Sequence, residues 1–156
     1  MRVSRRRGML RLRLEPVESL VLVNLLSELA DLLGPEAMGA DDPVGQRLFP
    51  AAYRGDREAE AEFRSLTESS LRSERTERAR ECAGQLAGGA TLVELGAEDG
   101  QRWIQVLNDL RLVLGTRLGI TEQDGDLDAS APDFQRRSVY YWLTALQDAL
   151  VLALMA

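Results

Sequence analysis

The segment Met9–Leu14, MLRLRL, alternates strictly, with Leu10, Leu12 and Leu14 on one face and Arg11 and Arg13 on the other. A period of two predicts a half-buried strand. Gly8 offers a turn before it, so residues 2–6 are the candidate partner strand. Thr91–Leu95 (TLVEL, after a Gly-Gly pair) is a third candidate. From Glu15-Pro16 the period becomes helical, because proline is tolerated and acids are favoured in a first turn. This helix is expected to run to about Leu33 and stop at Gly34-Pro35. Asp42-Pro43 repeats the start signal and predicts a short helix over 43–49, ahead of Pro50. Residues 56–87 are polar and helical, with a break expected near Leu66–Ser70, where Thr67, Ser69 or Ser70 could cap a second helix. Gly88-Gly89 closes this region. A helix over about 97–119 follows, opened by Ala97-Glu98-Asp99 and closed by Gly119. TEQDGDLDASAPD (121–133) reads as an acidic exposed loop, and the last helix begins after Pro132.

Together these elements predict a mainly α fold in one domain, 1–156. It is a four- or five-helix bundle with a small antiparallel sheet from residues about 2–14 and 91–95. LRLRLEPVESLVLVNLLSEL and TLVELGAEDGQRWIQVLNDL share an order of strand, acidic turn and helix, which suggests two equivalent strand–helix units.

At 100° per residue, Trp103, Val106, Leu107, Leu110, Val113, Leu114 and Leu118 form one apolar stripe. Asn108 and Asp109 fall off it, Arg111 lies at its edge, and Leu112 is nearly opposite. The last helix is apolar almost all round, broken by Tyr140, Thr144, Gln147 and Asp148. Such a segment is long enough to be checked as a membrane span, but an aspartate inside it is costly there, so a buried helix is expected. Two helices of this kind should pack together and bring their polar groups into contact. The expected product is an interhelix clasp built from Asn108, Asp109, Arg111, Tyr140, Thr144 and Gln147. Asp109 should pair with an arginine, Arg111 or Arg75. A docking surface is the other reading of the same residues.

Composition narrows the chemistry. The 156-residue chain has a net charge of −6, no histidine, and arginine at all 19 basic positions. Without histidine there is no His-based triad and no imidazole metal ligand. Without lysine, Schiff-base chemistry and a P-loop are excluded. The single cysteine, Cys82, excludes an intrachain disulfide and a cysteine zinc site. No catalytic, metal or cofactor residue is therefore assigned, and the chain is not expected to be an enzyme. Six arginines (Arg2, Arg5, Arg6, Arg7, Arg11 and Arg13) and no acid occupy residues 1–14, leaving the rest near −12. This basic arm is a candidate phosphate contact. It lacks aromatics for base stacking, so nucleic-acid binding is the lesser reading. The arginine-rich start is not followed by a continuous apolar segment, so no signal peptide is expected and cytoplasmic residence is the default.

In the helical region 69–86, Arg72, Arg75 and Arg78 recur every three residues. Glu60–Arg64, Glu68–Arg72 and Glu74–Arg78 are i,i+4 pairs, the mark of a solvated helix. Arg75 and Arg78 nevertheless share a face with Leu71, Cys82 and Leu86, so one of them could reach inward to Asp109. Cys82 reads first as a small core hydrophobe. The competing reading is a redox thiol activated by nearby arginines.

Three blocks then stand out in order: RLFPAAYRGDREAEAEFRSLTE (47–68), WIQVLNDLRLVLGTRLGI (103–120) and VYYWLTALQDALVLALM (139–155). They resemble an uncharacterised actinobacterial family, domain of unknown function twenty-seventeen, and LRLRLEPVESLVLVNLL is compatible with it. The resemblance implies no catalytic residue. It implies a transcriptional regulator encoded near a Clp protease adaptor, a JAMM-type metallopeptidase and sulfur-carrier genes. Sulfur or oxidative-stress metabolism is the implied setting, with RNA polymerase or a sigma factor as the implied partner. A redox role resting on an intrachain disulfide conflicts with the single Cys82.

The functional expectation is thus a non-enzymatic regulatory protein working through protein contacts. Nucleic-acid binding through the arm, or service as a scaffold for the Clp adaptor or metallopeptidase, are the alternatives. The apolar last helix and Leu112 exceed what one small bundle hides, so a homodimer or a tightly held partner is expected.

Overall fold

The computed structural model describes residues 1–35, 37–39, 41–51 and 55–156. β1 (Arg2–Arg6) and β2 (Met9–Arg13) pair antiparallel, with Arg6 opposite Met9. Only Arg7 and Gly8 remain for the turn, and both have positive φ, 54° and 82°. That geometry matches the right-handed twist of the strands it joins. The other edge of β2 pairs antiparallel with β3 (Leu92–Leu95), placing Leu10 opposite Leu95 and Leu12 opposite Val93. All four of these side chains are buried.

α1 (Pro16–Leu32) starts from a reciprocal cap between Glu15 and Glu18. Leu22, Leu26 and Leu29 form its buried stripe. The buried Ser19 hydroxyl donates to the carbonyl of Ala90 at 2.8 Å and ties α1 to the entry of β3. α2 (Pro43–Leu48) is capped by Asp42, which accepts from the Val44 N–H.

The polar region is one continuous helix, α3 (Arg57–Gln85), with no break near 66–70. Of the hydroxyls expected to cap a second helix, Thr67 instead turns back along the first, as the nearby Ser65 also does. Ser65 donates to the carbonyl of Glu62, and Thr67 to that of Phe63. Ion pairs Glu60–Arg64, Arg64–Glu68 and Glu68–Arg72 run across the expected break. A short 3-10 turn, Ala87–Gly89, leads into β3.

α4 (Ala97–Leu118) is the hub of the core, touching α1, α2, α3, α5 and the sheet. Trp103 is fully buried, and its indole N–H donates to Gln85 Oε1 at 2.6 Å. α5 (Phe134–Met155) packs along α4 and against β1. It is less enclosed than expected: Leu143, Leu146, Gln147 and Leu150 are buried, while Leu152 and Met155 are exposed. By length and composition α5 is apolar enough to cross a membrane. The loop 121–133 is exposed, as its acidity predicts, and Arg137 holds it through Asp124 at 2.9 Å and Asp133 at 2.8 Å.

The two strand–helix units, β2 with α1 and β3 with α4, are both present, and their strands are paired neighbours. A single cluster of buried apolar residues joins the sheet to all five helices.

Candidate functional site

The expected clasp divides in two on α4. Asp109 and Arg111 are two residues apart, so their side chains leave the helix roughly 200° apart and meet different neighbours.

Arg111 turns toward α5. Its Nε donates to Thr144 Oγ1 at 2.9 Å and its Nη1 to Gln147 Oε1 at 2.5 Å. The Gln147 amide passes the link back to α4, donating to the Ile104 carbonyl at 3.1 Å. Thr144 donates in turn to the Tyr140 carbonyl, and the Arg111 guanidinium lies 5.6 Å from the centroid of the Tyr140 ring. Tyr140, Thr144, Gln147 and Arg111 are thus one network, built on a cation and neutral acceptors.

Asp109 turns toward α3 and is 4% exposed. Its Oδ1 lies 3.4 Å from Arg75 Nη1, so its ionic partner is Arg75 and not Arg111. The same Arg75 nitrogen donates to the Leu48 carbonyl at 2.9 Å, at the end of α2. Asp109 Oδ2 is buried and has no hydrogen-bond partner among the described residues. Burial pushes the Asp109 carboxyl above its usual range, and the nearby charges of Arg75 and Arg78 oppose this only in part. Arg78 itself bonds Glu74 on its own helix at 2.9 Å. Asn108 is exposed and belongs to neither network, which corrects its place in the expected clasp.

Phe49 escaped the reading from sequence. The guanidinium carbons of Arg72 and Arg75 lie 4.8 and 4.9 Å from its ring centroid, so it braces both arginines, of which Arg75 pairs with Asp109. Its only sequence signal is an aromatic directly before Pro50 at the end of a short helix.

Cys82 is 2% exposed in the core, and its thiol is pushed up to about 12, chiefly by burial and then by the charge of Glu81. A reactive thiol needs access and a lowered pKa. The structure places Cys82 as a core residue, without the access a redox thiol uses.

The basic arm is less free than its composition suggests. Arg11 pairs with Glu94 across the strands at 2.6 Å. Arg5 sits opposite buried Leu10, and its Nη1 donates to the Leu154 carbonyl at 3.3 Å, near the end of α5. Arg2, Arg6, Arg7 and Arg13 are exposed, with Arg2 directly opposite Arg13 in the sheet register. Among the described residues, no group of three or more His, Cys, Asp and Glu side chains is placed to hold a metal ion.

The arrangement defines a mainly helical protein with a three-stranded antiparallel sheet, whose helices are joined through arginine-centred polar contacts. The chain belongs to the family Domain of unknown function (DUF2017), which it matches over residues 1–154. It is also similar to proteins named oxidative stress regulator AosR. It is 31% identical to those of Mycobacterium bovis and Mycobacterium tuberculosis over 144 residues, covering 83% of this chain. A Mycobacterium leprae relative is 33% identical over 148 residues, 84% of this chain and 68% of its own length. The chain spans 66% of the length of the M. bovis and M. tuberculosis relatives. No solved structure matches it.

Proposed function

We propose that this protein is a non-enzymatic regulator in the response to oxidative stress, acting through contacts with other proteins. The observation that carries this reading is the similarity, over 83% of the chain, to proteins named as oxidative stress regulators. The chemistry agrees with it: the chain has no histidine or lysine, and its buried polar side chains Ser19, Asp109 and Gln147 face other parts of the fold. The partner is a component of the transcription machinery, RNA polymerase or a sigma factor. Because Cys82 is sealed in the core, the oxidant signal reaches this chain through that partner. Crosslinking and mass spectrometry on native lysate, with and without peroxide, tests the reading. Recovery of a polymerase subunit or sigma factor in an oxidant-dependent amount is expected. Recovery that peroxide leaves unchanged, or recovery of none of these, overturns it.

A second reading, nucleic-acid contact through the sheet, is favoured by one observation: Arg2 and Arg13 stand opposite each other on exposed strand positions. Like charges there are unfavourable without an anion between them. Salt-sensitive gel shifts that weaken when Arg2 and Arg13 become glutamine support it; equal shifts in the variant remove it.

A further inference from the structure

Arg111 is half-buried, yet its bonding partners are all neutral. Among the described residues it forms no ion pair, and its Nη2 makes no hydrogen bond. A guanidinium cannot shed its proton, so a charge held in this way is electrostatically incomplete. The nearby Arg47 of α2 likewise has no carboxylate partner among the described residues.

Both arginines line one cleft of about 630 Å³ between α2, α4 and the start of α5. Its size falls in the range of small-molecule sites. Tyr140, Thr121 and Gln46 add hydroxyl and amide groups to the lining, while Leu112 and Ile120 give it an apolar wall. Leu112 is the residue opposite the buried stripe of α4, and here it has a surface to serve. Gly115 makes room for the ring of Tyr140: a Cβ at that position would lie 3.2 Å from Tyr140 Cε2. Arg64 of α3 also reaches the cleft, but Glu60 and Glu68 already compensate it.

We propose that this cleft binds a small phosphate-bearing organic anion. Two uncompensated guanidiniums match the charge of a phosphate monoester, roughly −1.5 to −2 at neutral pH, and their planar forks fit its oxygens. The apolar wall receives the organic body. Arg111 then couples the ligand to the α4–α5 contact, because the same side chain holds Thr144 and Gln147. The site stands apart from the protein-contact reading above and can fail or succeed without it.

Titration with inorganic phosphate and pyrophosphate at fixed ionic strength, followed by NMR, tests this on the full chain. The Arg111 Nε–H signal and the amides of Gly115, Thr116 and Thr121 should shift and saturate. Arg47→Gln, an exposed change, should weaken the binding about tenfold, the scale of one charge-assisted contact. Arg13→Gln on the sheet should leave it unchanged. Unmoved Arg111 and Gly115 signals at millimolar pyrophosphate overturn the proposal. Equal affinity in Arg47→Gln does the same, and so does succinate binding as tightly as pyrophosphate.

Discussion

Two polar contacts leave α4 only two residues apart, and they are held by opposite means. At Asp109 a carboxylate is buried beside a cation, and one of its oxygens has no hydrogen-bond partner. At Arg111 a cation meets no carboxylate among the described residues, but two of its nitrogens have well-placed acceptors. The first has its counter-charge and one unpaired oxygen; the second has hydrogen bonds and, among the described residues, no counter-charge. The difference shows that charge pairing and hydrogen-bond satisfaction are separate requirements, and that each shortfall leaves its own trace. A desolvated acid raises its pKa and binds a proton more readily. An uncompensated guanidinium cannot titrate, so it favours an external anion.

The comparison can be broken most forcefully at Arg75. Arg75→Ala leaves Asp109 buried without its cation and should cost about 2 to 3 kcal/mol in urea unfolding at neutral pH. If the pairing is responsible, adding Asp109→Asn should recover most of that loss. A double variant no more stable than Arg75→Ala alone would show that lost packing on Phe49 dominates instead.

On the other side, Gln147→Leu strands Arg111 Nη1 and removes the second donor to the Ile104 carbonyl. A loss of about 1 to 2 kcal/mol is expected. Added phosphate should stabilise every variant that keeps the anion site, Arg75→Ala included, and should offset more of the loss in Gln147→Leu, where Arg111 has lost an acceptor.

Asp109→Asn alone should change stability by less than about 1 kcal/mol at neutral pH, because it removes a strained charge as well as an ion pair. Its clearer signature is in pH dependence. The folded carboxyl titrates above the ordinary 3.8, so the native state holds the proton more tightly than the unfolded state does. This contribution is full below the ordinary value and is lost as pH rises through it towards the raised one. Unfolding measured across that window should show this decline in the parent chain and a flatter profile in Asp109→Asn.

The smallest effect belongs to the surface. Arg11→Gln breaks the cross-strand pair with Glu94, whose side chains are 40% and 48% exposed. It should cost less than about 0.5 kcal/mol and vanish in high salt. A larger loss would mean that the sheet depends on its charges far more than its buried leucines suggest.

Much of the architecture was legible in the one-dimensional pattern. The alternation of Met9–Leu14 specified both a strand and its buried face, because a one-residue slip would expose Leu10 and Leu12. Proline and acid at the helix starts and glycine at the ends marked boundaries to within a residue or two for α1, α2 and α4. Two readings failed for nameable reasons. Thr67 bears the side chain of a cap, but the same hydroxyl can serve a carbonyl within a helix, and the ion pairs around it kept α3 whole. α5 reads as a buried helix because it is apolar almost all round, but apolarity records what a surface prefers, not whether this chain supplies enough neighbours to cover it.

Sequence by itself determined what chemistry this protein lacks, where its strands and helices lie, and that polar side chains would meet near the middle of α4. Those outcomes follow from residue types and local periodicity, which need no knowledge of distant neighbours. Only the tertiary structure decided that Asp109 would take Arg75, that Arg111 would turn to the neutral Thr144 and Gln147, and that Phe49 would brace two arginines. Those choices depend on how α2 and α3 are brought against one side of α4 and α5 against the other. A helix turn of roughly 200° between residues 109 and 111 then assigns each side chain to its own set of partners.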